Sequence, residues 1–289
     1  MADLHALVLG GGGVAGVAWM TGLLTGLAEA GEDVTGADLI IGTSAGACVA
    51  ATLGSGLPLP DLFARQADPQ LQSAELMAEL DVAKMTVEAA AYLRGATTTA
   101  EMQRRIGAYA LAAHTLPEAT RRSVIESRLP VRDWPDRRIQ MTAVDAATGE
   151  FITFDAQSGV SLIDAVTASC AVPGVWPPVT IGGSRYMDGG VRSADNADLA
   201  TGFGRITVIS PLGLDSPIPS SLPLRDVVAR LRAEGSVVTV IVPDAASAAA
   251  IGANPLDPAT RTPAANAGRA QGRAGLTGMQ GVHLVDREL

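Results

Sequence analysis

Cysteine is almost absent from this chain: Cys48 and Cys170 are its only two among 289 residues. Two thiols cannot build a disulfide framework or a four-ligand zinc site, so both read as small buried hydrophobes kept reduced. Aromatic residues make up 3%, which leaves the core to Ala, Val, Leu and Ile. Histidine occurs three times, at His5, His114 and His283, so few positions could supply an imidazole base. Positive charge is in deficit, with 21 Lys and Arg against 30 Asp and Glu and a net charge of −9. That balance argues against a nucleic-acid partner and against adsorption to anionic membranes by charge alone. Contact with lipid through an apolar patch stays open.

Long unbroken apolar runs are missing too. The stretch 6–27 is interrupted by glycines at 10–13, 16 and 22, a poor membrane span. The first residues lack the charged, apolar and small-residue order of a secretory leader. The expectation is a cytoplasmic protein, with peripheral contact at a membrane compatible. Acids such as Asp145 and Asp164 are scattered, so neither a metal nor any other cofactor is expected. The oligomeric state is not legible.

What is present is a 47% hydrophobic chain long enough for a sizeable core. HALVL (5–9) reads as a buried strand ended by glycines. The following segment is helical, with Val17, Met20, Leu24 and Leu27 on one face and Gly31 as a stop. ADLIIG (37–42), the turn TSAG and the helix from Ala47 repeat the strand–turn–helix order of a parallel sheet. Residues 58–135 are Ala-rich and helical, with Leu76, Leu80, Val87 and Ala91 on one face and a Thr cap in TTTAEMQ. Strands resume at 138–145, with hairpins at 150–155 and around Gly182-Gly183, a helix before Pro173, and two parallel strands flanking a helix at 224–234. The tail 245–278 mixes helix and loop. The expected organisation is one α/β domain over 1–289, a three-layer fold with a mainly parallel central sheet and a helical insertion at about 58–135 as cap or lid.

The run LVLGGGGVAGVAW (7–19) raises a question: what approaches Gly10 to Gly13 so closely that no side chain is tolerated? Gly11-x-Gly13-x-x-Gly16 between a strand and a helix fits a dinucleotide loop, and Glu32 and Asp33 lie near the distance of a ribose-binding acid. A second turn offers a different answer. Gly42-Thr43-Ser44-Ala45-Gly46 has the strand–turn–helix context of a nucleophile elbow. Ser44 attacking an ester would create an oxyanion, for which the glycine-loop amides and the N–H of Ala45 could serve as donors.

Ser44 needs a base. His283 falls in the Ser…Asp…His order of the α/β-hydrolases. Asp188, in YMDGG at a strand end, is the alternative, provided it is partly desolvated and within reach of Ser44.

Gly11-Gly12-Gly13-Val14-Ala15-Gly16, Gly42-Thr43-Ser44-Ala45-Gly46 and Asp188-Gly189-Gly190, in that order, resemble the three signatures of the patatin-like phospholipases. ASCAVPGVWPP (168–178) is similar to the family's small-residue and proline segment before its aspartate. The resemblance spans about residues 5–212. It implies a Ser44–Asp188 dyad without a catalytic histidine, an oxyanion hole carried by Gly11, Gly12 and Gly13, and a parallel sheet between helices. The substrate would be a lipid or other carboxylic ester. Position 15 departs from the family pattern: Ala15 stands where a basic residue is usual, which bears on rate and headgroup preference. Val172, Pro173, Val175 and Trp176 are candidates for lining an acyl-chain channel. Two other readings remain, a nucleotide-dependent oxidoreductase and a non-catalytic acyl- or lipid-binding homologue.

Overall fold

The structure is a computed structural model that describes residues 4–77, 87, 90–216 and 222–283. A nine-stranded sheet forms its centre, in the order β5-β6-β3-β2-β1-β7-β8-β9, with β4 paired to β3. Strands β1 (His5–Leu9), β2 (Leu39–Gly42), β3 (Ile139–Asp145), β7 (Arg205–Ile209) and β8 (Val237–Ile241) run parallel. β4 (Phe151–Phe154), β5 (Val179–Ile181) and β6 (Ser184–Asp188) close antiparallel hairpins at one end, and β9 (Val282–His283) pairs antiparallel at the other.

β1 shows why both faces are covered. Leu7 and Leu9 enter one core cluster while Ala6 and Val8 enter another, the two-sided burial of a parallel strand between helices. The first face carries α1 (Gly13–Glu29), α2 (Ala45–Leu53) and a helix at Leu162–Ser169. The second carries the helix Leu224–Ala233. This is the expected α/β layering.

The insertion contributes α3 (Leu59–Ala67), α4 (Thr99–Ala112) and α5 (Glu118–Arg128), and the helix at Leu162–Ser169 is α6. Thr98 caps α4 through Glu101 N–H at 3.2 Å. Of the apolar face expected around Leu76 to Ala91, Leu80 lies outside the described residues, while Leu76 is in an irregular segment.

Leu224–Ala233 is α7, Ala245–Ile251 is α8 and Arg261–Gly272 is α9. α9 packs along α1 through small residues. A side chain at Gly22 would strike the Ala265 carbonyl, and one at Gly268 would strike the Trp19 carbonyl. The C-terminal tail thereby covers the first helix. No helix among the described residues is long and apolar enough to cross a membrane.

Candidate active site

Ser44 stands between β2 and α2 with φ 53° and ψ −113°, backbone that a residue with a side chain rarely adopts. Gly46 makes the turn possible, because any side chain there would collide with the Leu9 carbonyl. The Gly46 N–H donates to the Gly10 carbonyl at 3.0 Å, which ties this turn to the glycine loop after β1. The Ser44 N–H donates to the buried Ser169 hydroxyl at 3.0 Å. β1 and β2 are parallel neighbours, so both turns emerge at the same sheet end.

Sheet register delivers Asp188 to the same place. Gly42 pairs with Met141, and Ala143 pairs with Asp188. Ser44 is two residues past Gly42 and Ala143 two past Met141, so residues 44 and 188 reach the same level of the sheet. Asp188 is 4% exposed. Its Oδ1 accepts the Gly190 N–H at 2.7 Å, and its own N–H donates to the Ala171 carbonyl at 3.0 Å. Oδ2 is buried without a hydrogen-bond partner among the described residues. Burial pushes the carboxyl up to about 7, opposed by the Gly190 amide and the nearby Ser44 hydroxyl. A carboxylate so desolvated has proton affinity suited to general-base work near neutrality.

The glycine loop answers its question differently from the sequence expectation. Its closest neighbours are parts of the protein itself. A Cβ at Gly12 would lie 2.6 Å from Pro211, one at Gly13 would lie 2.6 Å from the Pro255 carbonyl, and one at Gly10 would overlap the Asp195 carboxylate. Gly13 also has φ +63°, which favours glycine regardless of space. Gly11 requires a correction as a donor: its N–H already donates to the Ala194 carbonyl at 2.8 Å. The N–H groups of Gly12, Gly13 and Ala45 have no acceptor among the described residues. Gly12 and Gly13 lie at the start of α1 and Ala45 at the start of α2, where free amides and helix dipoles favour negative charge.

Sequence reading missed the side chain that joins these parts. Asn196 is fully buried in a left-handed conformation, φ 51°. Its Nδ2 lies 3.1 Å from Thr43 Oγ1, 3.2 Å from the Gly189 carbonyl and 2.8 Å from the Ser193 carbonyl. Thr142 Oγ1, 2.9 Å from Thr43 Oγ1, completes the cluster. An Asp-Asn pair eight residues past the aspartate was the available signal, but it belongs to no periodic pattern. Beside it, Asp195 is 1% exposed with Oδ1 unpartnered among the described residues. Burial pushes it up to about 7, opposed by the Ser210 hydroxyl.

The remaining expected residues are distributed as follows. Gly16 packs against Ala45 and Pro211, and a side chain at Gly189 would strike Thr142. Val172 and Pro173 are half-buried. Trp176 is 3% exposed and lies under the Arg121 guanidinium, 3.9 Å from its ring centroid. Cys48 and Cys170 are buried as expected, but as neighbours, with sulfurs 3.7 Å apart. Their mutual hydrogen bond lowers Cys48, helped by Arg128, and raises Cys170. His283 sits in β9, four strands from β2 in the sheet order, roughly 19 Å at about 4.8 Å per strand. Glu32 and Asp33 accept backbone N–H groups, of Leu276 near the end of the described chain at 2.6 Å and of neighbouring Thr35 at 2.7 Å. Among the described residues no group of three or more His, Cys, Asp or Glu could hold a metal ion.

The sequence matches the patatin-like phospholipase family over residues 7–201, which takes in the glycine loop, Ser44, Asp188 and Asn196. Among curated proteins nothing matches. The chain resembles several solved structures, VipD and ExoU among them. VipD from Legionella pneumophila is 12% identical with a TM-score of 0.38, the match covering 72% of this chain and 50% of VipD. The type III effector protein ExoU is 17% identical with a TM-score of 0.35, covering 93% of this chain and 53% of ExoU. The chain thus spans about half the length of each.

Proposed function

The chain belongs to the patatin-like phospholipase family, and from that premise we propose that it is a lipid acyl hydrolase working through a Ser44–Asp188 dyad. The observation that carries this reading is the sheet register that brings a strained serine and a desolvated aspartate to one level. Asp188 takes the Ser44 proton as Oγ attacks the ester carbonyl. The resulting oxyanion is held by the N–H groups of Gly12, Gly13 and Ala45. The alcohol leaves with the proton from Asp188, and water repeats the cycle on the acyl-serine.

The position of His283 four strands away supports a dyad over a triad. The use of Glu32 and Asp33 as acceptors of backbone N–H groups weighs against a dinucleotide site. The packing of α9 on α1 supports reading 1–289 as one domain. A fluorophosphonate probe tests the proposal: Ser44 should be labelled and Ser44→Ala should not. Labelling that persists in Ser44→Ala, or is absent from the parent protein, overturns it.

A further inference from the structure

We infer that Arg121, Arg128 and Arg261 form an anion subsite for the phosphate of a phospholipid substrate, whose place the Glu75 carboxylate holds in this structure. The inference rests on the hydrolase reading and names the substrate class of that site.

Among the described residues, Glu75 is the carboxylate that these arginines gather around. Its Oε1 pairs with Arg121 Nη1 at 3.0 Å, and its Oε2 with Arg128 Nε at 2.9 Å and with Arg128 Nη2. These side chains are 3%, 5% and 10% exposed for Glu75, Arg121 and Arg128. Arg261, itself 5% exposed, is not paired with Glu75 and donates to the Ser73 carbonyl at 2.9 Å and Gln66 Oε1 at 3.2 Å. Among the described residues, two of these cations therefore share one carboxylate and the third lies beside it without an ion pair. The Nε groups of Arg121 and Arg261 are buried with no acceptor among the described residues. Burial, and after it repulsion from Arg128, lowers both Arg121 and Arg261, whereas the charge of Glu75 raises Arg128. Buried ion pairs of this kind are a weak source of stability.

Location supports a role in binding. A cavity of about 10 Å³ is lined by Arg128, Arg261, Glu75 and Gln66 together with Val14, Val17, Cys48 and Thr52. Val14 follows the glycine loop in the first turn of α1. Cys48 is four residues past Ser44, the residue that caps α2, or about 6 Å along the helix axis, comparable with the glycerol bridge between an ester carbonyl and the phosphate of a phospholipid. α1 brings no cation here, since position 15 is alanine; α5 and α9 supply guanidinium groups instead. The cavity holds no more than about one water, so a phosphate must displace the Glu75 carboxylate. Arginine forks that grip a carboxylate grip phosphate oxygens equally well. A neutral ester has no anion with which to displace Glu75.

Two arms test this. In the first, dihexanoyl phosphatidylcholine and dihexanoylglycerol are compared as substrates of the full-length protein. Arg261→Gln and Arg128→Gln should lower the phospholipid-to-neutral ratio of kcat/KM by about tenfold or more, the worth of one charge-assisted hydrogen bond. An unchanged ratio overturns the subsite, because a purely structural defect lowers both substrates together. The second arm does not need catalysis. In Ser44→Ala protein, calorimetry should show glycerophosphocholine and inorganic phosphate binding about tenfold more tightly when Glu75→Gln is added. Inorganic phosphate binding without glycerophosphocholine binding makes this a free-phosphate site and overturns the headgroup assignment. Binding that succeeds while Ser44 in the parent protein resists the fluorophosphonate overturns the hydrolase reading and supports the anion site.

Discussion

The Asn196 amide lies 3.1 Å from the Thr43 hydroxyl, so the residue before Ser44 and the loop after Asp188 share one buried anchor. Asn196→Ala removes the donor from Thr43, Gly189 and Ser193 at once. It also places alanine in a left-handed conformation that asparagine tolerates better. Loss of about 2–4 kcal/mol of stability is expected, measured by urea denaturation. In the protein that still folds, kcat should fall by about 10²-fold through misplacement of the dyad.

Asp188→Asn keeps the shape of the side chain and removes the base. A fall in kcat of about 10²–10⁴ on a p-nitrophenyl ester is expected. Combined with Ser44→Ala, it should be little worse than Ser44→Ala alone, because the two residues act in one step. The base works deprotonated and its carboxyl is pushed up to about 7, so kcat/KM should rise through that pH and level off above it. Normal turnover in Asp188→Asn would reduce this aspartate to a turn residue.

Asp195 should limit stability at high pH. Its folded carboxyl keeps a proton to about 7, against 3.8 for an unperturbed aspartate. Between those values the folded state binds more protons than the unfolded state, so the group's contribution is full below the lower value and lost as pH rises through the upper one. Asp195→Asn removes this loss. Its advantage in denaturation midpoint over the parent should grow from about pH 4 to about pH 7 and then stay level. An advantage independent of pH would show that the carboxyl does not titrate in this window.

Gly46→Ala should be among the most damaging single-methyl additions, since its Cβ would collide with the Leu9 carbonyl. The strand and the turn would have to separate, at about 3 kcal/mol or more. A thermal melt by circular dichroism checks this, with Gly36→Ala, which would meet nothing nearby and needs no left-handed backbone, as the comparison.

His283→Ala should leave ester hydrolysis nearly unchanged, because β9 lies four strands from β2. A loss comparable with that of Ser44→Ala, several orders of magnitude, would restore the histidine triad.

The layering of the fold was legible because its signals are local. HALVL, the glycines after it, and the GTSAG turn each announce strand, loop and helix through a few adjacent residues, and β1, β2 and the hairpin around Gly182-Gly183 appear where those signals put them. Ser44 and Asp188 were nameable for the same reason, as residues in glycine-bounded turns matching the family signatures.

Which groups meet was decided by the tertiary structure alone. Nothing near Gly11 announces that its N–H turns toward Ala194, which removes it from the donors expected at the oxyanion hole. Neither the anchoring by Asn196 nor the approach of Arg128 and Arg261 to the start of α1 follows any sequence period. The physical reason is reach. Helix and strand patterns are set by neighbours within a turn or two, whereas register, burial and hydrogen-bond partners arise between segments that only the completed sheet brings together.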